Sequence, residues 1–234
     1  MAIGYGSSIV RDGLILHLDA ANPKCFTDGE VTCNNLITGG LVTGANGNPG
    51  SGAHTPNNAN FPSYNSESGG VFDFAGGRGM NIEENLGNHN KFSIEIWYYR
   101  NSGATQYITD GRNNGGQWFL SNYSGANINY TNAATYNFDT GYNTSNPDFI
   151  NRWQHMVITS DSTGSRLYID GTQRTLVASS SVDEDLGVNF RIGTRYTTSS
   201  PWTGKMGPIK VYDRVLGAND VIQNFQAVKG RFGL

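Results

Sequence analysis

The chain has 234 residues with 16 basic and 19 acidic side chains, a net charge of −3, and only 15% charged against 37% hydrophobic residues. That balance gives no electrostatic footprint for nucleic acid, and no apolar run approaches a membrane span, so neither nucleic-acid binding nor membrane insertion is expected. The length suits one large all-β domain over residues 1–234, and 31 glycines supply positions for positive-φ turns.

The opening MAIGYGSSIVRDGLILHLD lacks the basic segment and long apolar core of a secretory signal, so export by that route is not expected. Leu14, Leu16 and Leu18 alternate with Ile15 and His17 and predict a strand. Cys25 and Cys33 bracket FTDGEVT. They are too few for a zinc site; a disulfide and a pair of buried thiols both stay open, and either role is structural. Residues 34–70 are dense in turn dipeptides such as Gly39-Gly40, Asn46-Gly47 and Gly69-Gly70. They predict a long surface excursion, because too few residues precede them to form a core of their own.

Short strands are predicted at 71–74 and 79–82. The longest, 91–100 (KFSIEIWYYR), places Phe92, Ile94, Ile96 and Tyr98 on one face and Trp97 and Tyr99 on the other. Apolar character on both faces predicts a central strand covered on both sides. Further strands are predicted at 107–109, 117–121, 127–130, 135–138, 174–177, 190–192 and 205–212. Residues 153–171, WQHMVITSDSTGSRLYIDG, read as two strands reversing at Asp161-Ser-Thr-Gly164, with a second tight turn at Asp170-Gly171. Over 217–228, Val221, Ile222, Phe225 and Val228 form one helical stripe, capped at Gly217 or Asn219. The sum is an antiparallel sandwich with a short C-terminal helix.

The segment 153–171 resembles the W-x-H-h-x-x-x-x-D…h-Y-h-D-G signature of the laminin-G-like branch of the concanavalin A-like lectin and glucanase superfamily. VRDGLILHLDAANPKCF is similar to the opening strand and turn of laminin-G-like proteins carried by tailed phages, and KFSIEIWYYR to their F-T-I-E-x-W strand. FRIGTR and WTGKMGPIKVYDRVLGANDVIQNFQAVKGRFGL are similar to their closing strand, helix and GRFG ending. The resemblance covers nearly the whole chain and implies a concanavalin A-like jelly roll of two antiparallel sheets. Two departures bear on metal binding. FDFAGGRGMNI stands where many relatives carry an acidic loop, and Gly207-Pro208 replaces an acidic pair. Calcium takes six to eight oxygen ligands, so a calcium site there, or any other cofactor, is not expected. Asp19 and Asp110 read as turn formers.

Glycosidases need two carboxylates flanking the sugar bond, and the superfamily's hydrolases carry them as E-x-D-x-E on one strand. That spacing is absent: Glu83-Glu84 are adjacent, Asp183-Glu184-Asp185 lie in a polar turn, and Glu95 stands alone on its strand. The four histidines lie far apart in sequence, and His155 is expected to pack or hydrogen-bond inside the sandwich. No nucleophile elbow or phosphate loop occurs. The chain therefore reads as a non-enzyme.

Sugars offer apolar C–H faces and many hydroxyls, which aromatic platforms and amides match. Trp118 and Tyr130 read as packing residues. Tyr123, Arg195, Tyr196, Trp202 and Asn114, in or beside turn-rich segments, are the candidate contacts for a glycan or a protein partner. The phage-like ending together with the missing signal implies an exterior virion protein of a tailed phage, in a capsid decoration, fibre or baseplate. Such a protein assembles in the host cytoplasm with other virion proteins, and symmetry favours a trimer. A free carbohydrate-binding lectin is the alternative, and a glycoside hydrolase relative the third reading.

Overall fold

The computed structural model describes residues 8–45, 58–75, 77–101, 106–111, 118–123, 127–132, 135–143, 150–176, 184–186, 190–194 and 201–234. Along them run β1 (Leu14–Leu18), β2 (Cys33–Asn34), β3 (Leu41–Gly44), β4 (Ser63–Asn65), β5 (Val71–Asp73), β6 (Met80–Ile82), β7 (Asn88–His89), β8 (Phe92–Arg100) and β9 (Gln106–Asp110). There follow β10 (Trp118–Tyr123), β11 (Asn127–Asn132), β12 (Thr135–Asn143), β13 (Trp153–Asp161), β14 (Gly164–Ile169), β15 (Thr172–Arg174), β16 (Glu184–Asp185), β17 (Phe190–Ile192), β18 (Gly204–Tyr212) and helix α1 (Ala218–Val228). Sheet A has the order β15-β14-β13-β8-β18-β5-β4, with β1 also on β18; sheet B has the order β12-β11-β10-β9-β17-β6-β3-β2. The architecture is a two-sheet antiparallel sandwich with one short C-terminal helix, as the alternation predicts.

Period-2 alternation builds the core. Phe92, Ile94, Ile96 and Tyr98 of β8, Met156 and Ile158 of β13, and Leu167 and Ile169 of β14 meet Val42, Met80, Ile82, Phe190 and Ile192 of sheet B. The other face of sheet A is covered too. Val157, Tyr168 and Tyr212 lie under Val10, Leu14, Leu216 and Val221, while Trp97 and Trp153 pack with Phe232, Phe225 and Val228. The Trp97 ring stacks on Phe232 with centroids 4.6 Å apart and on Phe225 at 5.8 Å. The second layer predicted for the central strand is thus the helix and the two chain ends, not another sheet.

Three local expectations change, and one open alternative closes. Residues 34–70 do not merely wander over the surface: β2 and β3 form one edge of sheet B, and β4 pairs with β5. Strands of two to four residues are too short for their alternation to be seen among glycines. β15 spans Thr172–Arg174 rather than 174–177, because Asp170 (φ 52°) and Gly171 (φ 77°) make a primed turn that starts pairing at once, Ile169 opposite Thr172. In α1 the buried residues are Val221 and Asn224, while Ile222 is 45% exposed. The cysteines are buried free thiols, Cys25 Sγ accepting the Asp19 N–H at 3.3 Å.

The GRFG ending forms a clamp. A 3-10 turn over Lys229–Phe232 aims Arg231 back at the first strand's exit, where Nη1 meets both Asp19 oxygens at 2.8 and 2.9 Å. Nε donates to the Ser68 carbonyl at 2.6 Å and Nη2 donates to the Gly70 carbonyl. Gly70 sits at φ +129°, and a Cβ there would lie 2.9 Å from the Ala20 oxygen, so glycine is required. Among the described residues no helix is long and apolar enough to cross a membrane.

Charge-assisted bonds to one guanidinium are worth about 2–3 kcal/mol in such a partly buried setting, and Arg231→Ala is expected to lower the urea-unfolding free energy by that amount. Arg231→Lys should restore less than half, since one ammonium nitrogen cannot reach Asp19 and the Ser68 and Gly70 carbonyls together. Equal stability of the Lys variant and the native protein would refute the clamp.

Candidate functional site

The alternation that buries Met80, Ile82, Phe190 and Ile192 sends Asn81 and Arg191 to the opposite face of sheet B. Register then aligns them: Thr43 pairs with Asn81, Asn81 with Arg191, and Arg191 with Asp110. Four polar side chains from β3, β6, β17 and β9 therefore form one row across the sheet. All are buried, at 4%, 0%, 7% and 0% exposure in that order. Glu83 joins the row, accepting the Thr43 hydroxyl at 2.5 Å and the Asn81 amide at 3.1 Å. Among the described residues Asn81 Oδ1 has no hydrogen-bond partner. At that burial the amide, hydroxyl, guanidinium and carboxylate groups form a polar network inside the protein rather than an open face. Asp110 belongs to this row and to a strand, not to the turn its sequence suggests.

The far face of sheet A holds the most buried charge. Glu95 has no exposed surface; Lys210 Nζ lies 2.5 Å from its Oε1, His155 Nε2 lies 3.1 Å from the same oxygen, and Asn224 Nδ2 donates to Oε2 at 2.6 Å. Lys210 is the direct cross-strand partner of Glu95. Asn224 also donates to the Tyr212 hydroxyl at 2.9 Å and accepts the Val10 N–H at 2.7 Å. Burial alone would raise the Glu95 pKa, but the Lys210 ammonium and the His155 contact outweigh it and hold the carboxyl well below the usual range. On β1, His17 stands opposite Lys210. Burial, and then the Lys210 charge, push its pKa down to about 4. Glu95 is the lone carboxylate of β8 but draws its partners from other elements, and His155 packs with its ring 4.9 Å from Trp97.

Of the candidate contacts, Trp202 is corrected. It is 1% exposed, part of the main core, edge-on to Tyr98 at 5.6 Å, with its backbone N–H bonded to the Gly193 carbonyl at 2.8 Å. An indole between the sheets gains far more by burial than one on a loop. Tyr123 closes β10, opposite Asn127. Asn114, Arg195 and Tyr196 lie outside the described residues. The polar row and the Glu95 cluster are both missing from the sequence reading, because each depends on register between distant strands. Asp19, the other presumed turn former, does accept the Ala21 N–H at 3.0 Å, but it is also the ion partner of Arg231. Among the described residues no three His, Cys, Asp or Glu side chains gather as a metal site.

Comparison with known proteins follows from this geometry. A laminin G family model described as the concanavalin A-like lectin/glucanases superfamily matches residues 74–222. No curated protein sequence matches. Among solved structures the chain is similar to domain 4 of AbnA, an extracellular arabinanase from Geobacillus stearothermophilus in complex with arabinotriose. That match has 14% identity and a TM-score of 0.64, covering 91% of this chain and 98% of that one. It is similar to the receptor binding domain of botulinum neurotoxin type G, at 15% identity and a TM-score of 0.58, covering 92% of this chain and 51% of that one. It is also similar to Trypanosoma rangeli sialidase in complex with sialic acid, at 14% identity and a TM-score of 0.61, covering 99% of this chain but only 35% of the enzyme. At these identities the likeness is one of fold.

Two outcomes test the buried cluster. Glu95→Gln leaves the Lys210 ammonium without its counter-charge and is expected to cost about 3–5 kcal/mol by urea unfolding, with Glu95→Gln/Lys210→Met regaining at least part of the loss. A cost below about 1 kcal/mol would contradict a sealed ion pair. For His17, the unfolded chain takes up a proton near pH 6.5 and the folded one only near 4. Stability should therefore fall as pH drops through that window, by up to roughly 3 kcal/mol from this group, and level off below it. His17→Gln should flatten the slope, and an unchanged slope would refute the assignment.

Proposed function

The chain belongs to the concanavalin A-like lectin/glucanases superfamily, and from that premise we propose that it is a non-enzymatic, lectin-like protein whose ligand is carbohydrate. The observation that carries the reading is that Glu95, the one carboxylate of the central strand β8, is sealed away from any substrate. Hydrolysis of a sugar bond needs two carboxylates on either side of it. Glu95 is sealed on the outer face of sheet A beneath α1 and bound to Lys210. Asp110 lies on the outer face of sheet B, opposite Arg191. The hydrophobic core separates the two, so they cannot flank one bond. Binding asks for less: a rigid sandwich presenting polar groups and turn-rich segments.

The family and the arabinotriose held by the similar arabinanase domain support carbohydrate as the ligand class. Tyr123, Asn114, Arg195 and Tyr196 are the proposed contact residues; Trp202 is withdrawn. The proposed setting is the exterior of a tailed-phage virion, as capsid decoration, fibre or baseplate component, assembled as a trimer with other virion proteins. Its support is the resemblance of the opening and GRFG segments.

A glycan array on the purified protein, beside mass spectrometry of purified particles, tests both levels. Glycan binding weakened at least about ten-fold by Tyr123→Ala or Tyr196→Ala, with no turnover of a polysaccharide panel, is the expected result. Turnover abolished by Glu95→Gln would overturn the non-enzymatic reading, and failure to bind any glycan would overturn the ligand class. Binding by a protein absent from particles would leave a free lectin in place of a virion component.

A further inference from the structure

We propose that the groove at the free edge of sheet A is a second saccharide site, selective for sugars that carry carboxylate or sulfate groups. The inference rests on the carbohydrate reading and adds a place and a charge class to it. β15 is the terminal strand of sheet A. Beside it lies a cavity of ≈ 440 Å³ lined by Ser165, Arg166, Gln173, Arg174, Thr175 and Leu176. Ligand pockets commonly run from about 300 to 1,000 Å³, so this one suits a short saccharide unit rather than a long chain.

The chemistry of the lining sets the charge preference. It offers two guanidinium groups, one amide and two hydroxyls, and no acidic side chain. Arg166 is held in place by Asp161 Oδ2 at 3.1 Å and by Thr163 Oγ1 at 3.0 Å. Each guanidinium carries five N–H donors, so these two bonds leave others for a ligand. Arg174 is placed by register opposite Leu167, on the core-facing side of the strand edge, whereas Gln173 opposite Tyr168 follows the outer side. The two arginines thus approach the groove from different sides of one edge. Guanidinium groups pair with carboxylate or sulfate in a two-bond geometry that a neutral hydroxyl cannot match. Leu176, packed against the main core, gives the sugar's C–H face an apolar floor. Polar contacts with hydroxyls are left to Gln173, Thr175 and Ser165, the last already paired with Ser160 Oγ at 3.0 Å.

This site is on sheet A, so it is separate from the polar row of sheet B. The test is calorimetric titration of the full chain with three matched oligosaccharide sets: neutral, uronic-acid and sulfated. Uronic or sulfated oligomers are expected to bind at least about ten-fold more tightly than neutral ones, and the two sets show which anion is preferred. Arg166→Gln and Arg174→Gln should each remove most of that preference and leave neutral-sugar binding unchanged. Thermal unfolding checks that each variant is folded; Arg166→Gln, on a partly exposed side chain, keeps the test valid if Arg174→Gln is unstable. Equal affinity for neutral and acidic oligomers, or acidic binding untouched by Arg166→Gln, would overturn the inference while leaving the lectin reading intact. Polyglutamate binding as tightly as the acidic sugars would overturn it as mere charge attraction. Failure of every saccharide to bind would sink both.

Discussion

Glu95 is a carboxylate with no exposed surface in the middle of sheet A, and three strands and a helix converge to keep it charged. Lys210 comes from β18, His155 from β13 and Asn224 from α1. Asn224 and Tyr212 then reach the backbone of Val10, so the first described strand's approach and the last helix meet on one polar cluster. Such a pair need not add stability over an apolar one, because desolvating two ions is costly. It does penalise misplacement heavily. A helix docked one turn away would leave Asn224 unpaired and Glu95 short of a donor, and the apolar clusters on either side keep water from substituting.

That closure decides which surfaces remain for function. With Val10, Leu14, α1 and Phe232 packed on the outer face of sheet A, that face is closed. The Arg231 clamp extends the same closure to the other end of the helix by tying it to Asp19 and to the carbonyls of Ser68 and Gly70. A scaffold fastened at both ends this way is ordered before any ligand arrives, so the proposed contact groups need not be ordered on binding.

The same constraint keeps Glu95 out of any cleft. Catalytic carboxylates must share a cleft with substrate and water. Here the sheet-centre glutamate is an internal fastener, and Asp110 lies on the other side of the core opposite Arg191, itself buried.

Period-2 alternation in residues 91–100 and 153–169, and the Asp170-Gly171 pair with its two positive φ angles, were legible because strand faces and turn conformations are local properties of the backbone. The helix was legible for the same reason, and Val221, Phe225 and Val228 of its stripe pack inward; Ile222 does not, and Asn224 is buried because its amide answers a carboxylate 129 positions away. Trp202 looked like a loop residue because nothing in its neighbours reveals that it is edge-on to Tyr98. The polar row from Thr43 to Asp110, the Glu95–Lys210 pair and the Asp19–Arg231 clamp join residues from 38 to 212 positions apart. The sequence by itself determined which segments extend, where they reverse and which side of each strand is apolar. Only the tertiary structure decided which polar residues meet, since pairing across strands is set by register and closure of the whole sandwich.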